Sequence, residues 1–410
     1  MNEIAERRAR KNVRLYYAYS ICMDFGLWFG IWIKYLIEDR GFELKYILLM
    51  DLPFWLLVAV LQAPTGALAD HIGRKRILAI SGVLYGFTIL GFGFAQNYWM
   101  LFADYVLWAV AQSTRSGADS ALVYDSFRLA GREAEFPRIA GRGFAIDPFS
   151  MLCGLVAGAL VAEAIGMALV VQISAIPPLL AMVVALNMAE PPIEHEERHY
   201  WANLKAGLSF SWRHPEVRYT LLMGSVLAAG VFGPVVLMQP FLIKHQVATG
   251  LFGVYQAPLR LLTMGGAIIA FRLVNRFGVS AILVTACTTI IAAYLALAGI
   301  DMQLAFVLFA LPAIFQGINK PVIDGYLNDR IPSERRATVL SVMQLYFALQ
   351  IMLVEPALGI FTDDISLTAA FLFAAGYFIV LMPPLLFLWH RAQGRTGAGS
   401  LPVLETVGAK

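Results

Sequence analysis

Runs of nearly uncharged apolar residues, each long enough to cross a bilayer, recur from one end of this 410-residue chain to the other, residues 77–96 and 281–300 among them. A hydrocarbon core about 30 Å thick takes ~20 residues of helix. A backbone inside it must satisfy its own hydrogen bonds, which leaves helices or closed barrels. These runs are too long and too continuous for the alternating strands of a barrel. Charged residues make up only 14% of the chain, against about 25% in a soluble domain. A water-soluble fold is excluded, and the chain reads as an all-α membrane protein.

The pattern predicts twelve transmembrane helices, over residues 14–37, 44–70, 76–95, 98–128, 135–162, 166–188, 217–243, 248–274, 279–299, 303–329, 334–361 and 366–390. The first is too long for a signal-peptide core and lacks a cleavage site, so it is expected to be retained. Cys22, Cys153 and Cys287 all fall inside spans and read as small core residues, with no metal or disulfide pattern. Lysine and arginine fix the orientation. With the N-terminus cytoplasmic, 24 of the 31 basic residues fall on the inner side, while the outer loops keep Arg40, Lys45 and Lys244. The net charge of +3 therefore reports orientation and implies no nucleic-acid partner.

Residues 189–218 form the longest hydrophilic stretch between spans. It begins as an acidic, proline-containing linker. Tyr200, Trp201, Leu204 and Leu208 then recur at helical spacing beside Lys205 and Arg213, which fits either an amphipathic interfacial helix or a plain solvated linker. The expected organisation is a bundle over 1–188, a linker over 189–216, a second bundle over 217–391 and a Gly-rich, disordered cytoplasmic tail over 392–410. A weak repeat supports two halves. At an offset of 205, "LADHIGRKRIL" (68–78) aligns on "LVNRFGVSAIL" (273–283), matching Gly73 to Gly278, Arg115 to Lys320 and Asp119 to Asp324. Repeated halves with a site between them are the build of a rocking transporter.

The polar loop "GALADHIGRKRIL" (66–78) sits between the second and third spans. With its Gly66, Leu68, Ala69, Asp70, Gly73, Arg74 and Lys75 it resembles the signature G-x-L-A-D-x-x-G-R-[KR] of the major facilitator superfamily. "RIPSERRATVLS" (330–341) also resembles the corresponding loop of many bacterial members. The resemblance covers essentially the whole chain. It implies the major facilitator fold, two pseudo-symmetric six-helix bundles, in a plasma (bacterial inner) membrane with both termini cytoplasmic, working as a monomer. It further implies a conformational latch: Gly66 allowing two helices to approach, Gly73 turning the chain, and an Asp70–Arg74–Asp125 cluster that shuts the cytoplasmic side and breaks on opening. A topogenic basic loop without mechanical role is the alternative. The chain lacks the Gly-Pro that proton-coupled exporters often carry in span five, having Gly154, Gly158 and an earlier Pro148, and Asn275 replaces the aspartate of the second-half loop.

Ionisable groups inside spans cost about 2.5–3.5 kcal/mol each on insertion scales, which marks them as functional candidates. Substrate or proton coupling is expected of Asp24, Asp104, Arg115, Asp119, Lys320, Asp324 and Glu355. Asp51 and Asp147 lie near Pro53 and Pro148 and read as kink-related, and Arg260 completes the set. Arg115/Asp119 and Lys320/Asp324 are i,i+4 pairs, either neutralised within their helices or cross-pairing as Arg115–Asp324 and Lys320–Asp119 when the halves close. Asp24, in an aromatic-rich helix, suits a proton carrier or an organic-cation site, or an ion pair with Arg115 or Arg260. No G-x-x-x-x-G-K-[ST] motif is present, so ATP-driven pumping is disfavoured. No cofactor is expected, with the proton gradient as energy source. The six histidines lie in or beside loops, which offers nothing for an enzyme. The expected function is proton-coupled export of an amphiphilic or cationic small molecule. Uptake of an anionic metabolite and a transport-dead receptor on the same fold are the alternatives.

Overall fold

The structure, a computed structural model, describes residues 2–115, 117–191, 200–332 and 335–396. The Asp70 side chain, residues 192–199 of the linker and residues 397–410 of the tail lie outside the described residues. Helix occupies all twelve expected spans, and no strand occurs among the described residues. By length and composition nine helices can cross a membrane, or ten when the bent pair 4–30 and 32–39 counts as one span. Two local features explain the shortfall. The 49-residue helix Leu251–Gly299 is two helices meeting at Gly278 (φ 76°, ψ 160°). The fourth expected span is two shorter helices, Tyr98–Arg115 and Ala118–Leu129, which carry Asp104, Arg115, Asp119 and Asp125.

Gly73, between Asp51–Ile72 and Arg74–Phe94, has φ 98° and ψ 141°. Gly278 holds nearly the same left-handed conformation 205 residues later, a geometry that a side chain disfavours. The sequence repeat is therefore a backbone repeat as well.

Boundaries differ from expectation at both termini. The first helix starts at Asn2, extended by Glu6, which pairs with Arg10 (2.7 Å) and with Arg132. The last helix, Leu367–Thr396, runs past the expected end at 391. The linker holds a helix, Tyr200–Arg213, with Leu204 and Phe210 buried and Gly207 set so close to Thr338 that a Cβ would lie 2.7 Å from its Cγ2.

The end of the bundle at Gly73 and Gly278 is here called the termini face, and the opposite end the far face. The halves meet in a seam at the far face. The Gln239 carboxamide accepts from Ile33 N–H (3.0 Å) and Lys34 N–H (3.2 Å), and Gln256 Nε2 donates to the Gly30 carbonyl (2.9 Å). Lys45 binds Asp364 (2.7 Å) through its ammonium and Asp363 (2.7 Å) through its backbone N–H. Trp55 lies edge-on to Phe347 at 5.4 Å.

Candidate functional site

Helices buried in lipid are apolar on every face, so small residues and polar pairs decide which faces meet. The fifth span, Phe136–Ile165, packs on the first through Gly154 and Gly158. A Cβ on Gly158 would sit 1.8 Å from the Leu27 carbonyl oxygen. The first helix ends at Asp24, and residues 27–30 continue as a tighter turn against the fifth span.

There Arg115 holds Asp24 in a two-pronged ion pair, with contacts of 2.9 Å and 2.5 Å, at 18% and 24% side-chain exposure. Such paired geometry is the strong form of the charge-assisted hydrogen bond. Asp119 and Asp147 stand within electrostatic reach of the same guanidinium and of each other, with Tyr16 beside them. Three carboxylates thus gather around one arginine. Asp147 Oδ1 is buried and has no hydrogen-bond partner. A cavity of about 70 Å³ adjoins Asp24, lined by Trp28, Phe29, Tyr85, Met151 and Ser174. Trp28 and Trp108 meet edge to face at 5.7 Å behind it.

From the second half, one cation reaches this lining and a second is exposed on its own helix. Arg260 lies 5.5 Å from the Phe29 ring, with no ion pair found for it among the described residues. Lys320 binds Asp324 within its own helix (2.7 Å) and is 72% exposed.

Several expected placements need correction. Arg115 and Asp119 do not share the face of a continuous helix, because Gly117 (φ 78°) breaks the helix between them; Arg115 pairs with Asp24 instead. Lys320 and Asp324 pair within their own helix, the alternative weighed for them, and the cross-pairs Arg115–Asp324 and Lys320–Asp119, expected only when the cytoplasmic side closes, are not formed here among the described residues. Asp104 faces the third span and not the space between the halves. Its Oδ1 would lie 2.5 Å from a Cβ on Gly91, and its Oδ2 is buried without a partner. Glu355 sits in the far-face seam against Asp51, which reads from sequence as a kink residue.

The latch residues divide. Arg74 pairs with Asp125, as the motif implies, and both belong to the first half. The pair therefore ties the third span to the fourth and does not bridge the halves. The Asp70 side chain, the third member of the expected cluster, lies outside the described residues. Gly66 makes no close approach here: a Cβ on it would meet nothing within 4 Å. One residue escaped the sequence reading. Glu190, at the start of the linker, accepts the backbone N–H groups of Arg74 and Lys75 (2.8 Å each), capping the third span. Its only sequence signal was an acid beside two prolines.

No group of three or more metal-ligating side chains occurs among the described residues. None of the curated proteins matches the sequence. Solved structures share the architecture: the nucleoside transporter NupG (14% identity, TM-score 0.69, covering 94% of this chain and 99% of that one); a bacterial homologue of the human lysosomal transporter Spinster in an inward-facing, unoccupied conformation (14%, 0.72, 95% and 98%); and the POT-family transporter PepTSo (11%, 0.68, 94% and 98%). These likenesses show the fold. The model of the Major Facilitator Superfamily matches residues 15–354, and by its motif, its repeated halves and that match the chain belongs to this superfamily of transporters.

Proposed function

We propose that the protein is a proton-coupled secondary transporter that exports a small amphiphilic or cationic solute across the plasma membrane by alternating access, with the termini face cytoplasmic. The observation that carries the reading is the cluster of Asp24, Asp119 and Asp147 around Arg115. One guanidinium offsets one carboxylate. Two more negative charges in a partly desolvated cavity call for compensation by protons or by a bound cation. Competition between the two for the same carboxylates is antiport in its simplest form. The rings of Trp28, Phe29 and Trp108 supply apolar and cation–π surface for such a solute. Uptake of an anionic metabolite is the second reading, favoured by Arg260 beside Phe29 and by the exposed Lys320.

The test is a thermal-shift screen of the purified full-length protein against organic cations, zwitterions, organic anions and nucleosides. A ligand that binds the native state raises apparent stability. The expected hits are cations whose stabilisation weakens as pH falls, because acid protonates the carboxylates they need. Hits confined to anions, with stabilisation growing as pH falls, would overturn export of a cation in favour of uptake.

A further inference from the structure

Apart from the Asp24 cluster, a second pair of acids lies buried in the seam between the halves. Asp51 opens the helix Asp51–Ile72 and Glu355 lies on Arg336–Ile360; the two are 9% and 2% exposed. Their carboxyl groups are within hydrogen-bonding reach of each other, and Trp55 stands beside Glu355. Two ionised carboxylates at that separation in a dry seam repel strongly. A carboxyl–carboxyl hydrogen bond needs a proton to be the donor. Among the described residues the neighbours offer no cation in place of it. The fourth span presents Tyr105, whose hydroxyl is buried without a partner, and Asp104. From the helix Leu44–Leu49 comes Lys45, already bound to Glu43 and Asp364. Residues 361–365 add Asp363 and Asp364, and Leu367–Thr396 adds Tyr377, which donates to Gln350. On Pro215–Phe232 the charged residues Glu216 and Arg218 lie at the opposite, termini-face end.

We propose that Asp51 and Glu355 form a proton-binding site that locks the far-face seam: one shared proton holds the halves together there, and its loss to the far-side compartment parts them. No bond other than O–H is made or broken; the proton leaves to water and two carboxylates remain. The inference is independent of the substrate proposed above. The site answers to the pH of the far compartment, and acid there favours the conformation seen here.

The experiment is pulsed electron–electron resonance on the full chain in nanodiscs, with Cys22, Cys153 and Cys287 replaced by Ser and spin labels at Trp99→Cys and Leu304→Cys. Both positions are exposed, on the far-face ends of the first and second halves respectively. In the otherwise unchanged chain the ratio of parted to closed seam should rise about tenfold per pH unit over the titration window, as for one linked proton. Asp51→Asn/Glu355→Gln should keep the seam closed at every pH. Asp24→Asn should leave the pH response in place. A seam distance independent of pH in the unchanged chain would overturn the proposal even if no variant folds. So would a pH response that survives Asp51→Asn/Glu355→Gln or vanishes with Asp24→Asn, and the latter would assign the response to the Asp24 cluster instead.

Discussion

Gly253 tests whether the seam between the halves is a separable contact. It lies on Leu251–Gly299 and faces the fifth span. A Cβ built on it would stand 2.5 Å from the Leu155 carbonyl oxygen, 2.7 Å from Val156 Cα and 3.1 Å from Ala159 Cβ. The first two are backbone atoms, which cannot swing aside as a side chain would. In Gly253→Ala the two halves must therefore separate locally by about half an ångström or more, and overpacking of this kind costs about 1–3 kcal/mol. The contact crosses between halves, so the cost falls on the far-face-closed state alone. At about 1.4 kcal/mol per factor of ten, the equilibrium should shift toward the parted seam by roughly 5- to 150-fold. Controls come from inside the halves. Gly158→Ala would place its Cβ 1.8 Å from the Leu27 carbonyl and Gly317→Ala 1.8 Å from the Thr263 carbonyl, each contact lying within one half. These two should lower Tm without changing the seam distance, whereas Gly265→Ala, with nothing within 4 Å, should do neither. Resonance distances between labels on Trp99→Cys and Leu304→Cys, read beside Tm, make the measurement. An unchanged distance distribution in Gly253→Ala, together with a Tm loss like that of Gly158→Ala, would refute the idea that this seam opens as a unit.

Two further outcomes follow from the first half. Asp24→Asn leaves the Arg115 guanidinium without its partner at 18% exposure, and should cost about 2–4 kcal/mol, below the full penalty of a dry buried pair. Asp24→Asn/Arg115→Gln should recover most of that loss in thermal stability while substrate-dependent stabilisation stays absent. Glu190→Ala removes both acceptors of the Arg74 and Lys75 N–H groups and should destabilise by about 1 kcal/mol, as loss of a helix cap does. Glu190→Gln, which keeps one acceptor, should fall between it and the unchanged chain in the same melting assay.

Much of the fold was legible because the bilayer imposes one rule on the whole backbone: long apolar runs become helices, and basic residues sort between the loops. The Gly73–Gly278 repeat was readable at the level of single residues, since a turn with positive φ wants glycine wherever it recurs. The Arg74–Asp125 pair was readable from the motif. The break at Gly117 was hidden. A single glycine inside a predicted helix is usually tolerated, and only the backbone reveals that this one is left-handed.

What the sequence could not carry was the choice of helix face. Asp24 and Arg115 lie 91 residues apart, and nothing in either helix says which neighbour it meets, because lipid-facing and protein-facing surfaces are equally apolar. The same blindness hid the seam, whose bonds turn out to be of distinct kinds. Gln239 and Gln256 grip backbone groups of the first half with uncharged amides, contacts that pH does not touch. Lys45 with Asp364 lies on an exposed rim, where salt screens it. Asp51 and Glu355 alone among these contacts are a buried carboxyl pair. A joint that forms and parts in each turn of the proposed cycle is poorly served by deep apolar interlocking, which would hold only one state. Glycine contacts at Gly253 and Gly359, a few amide bonds and one titratable pair give a joint weak enough to open, with a single proton placed to bias it.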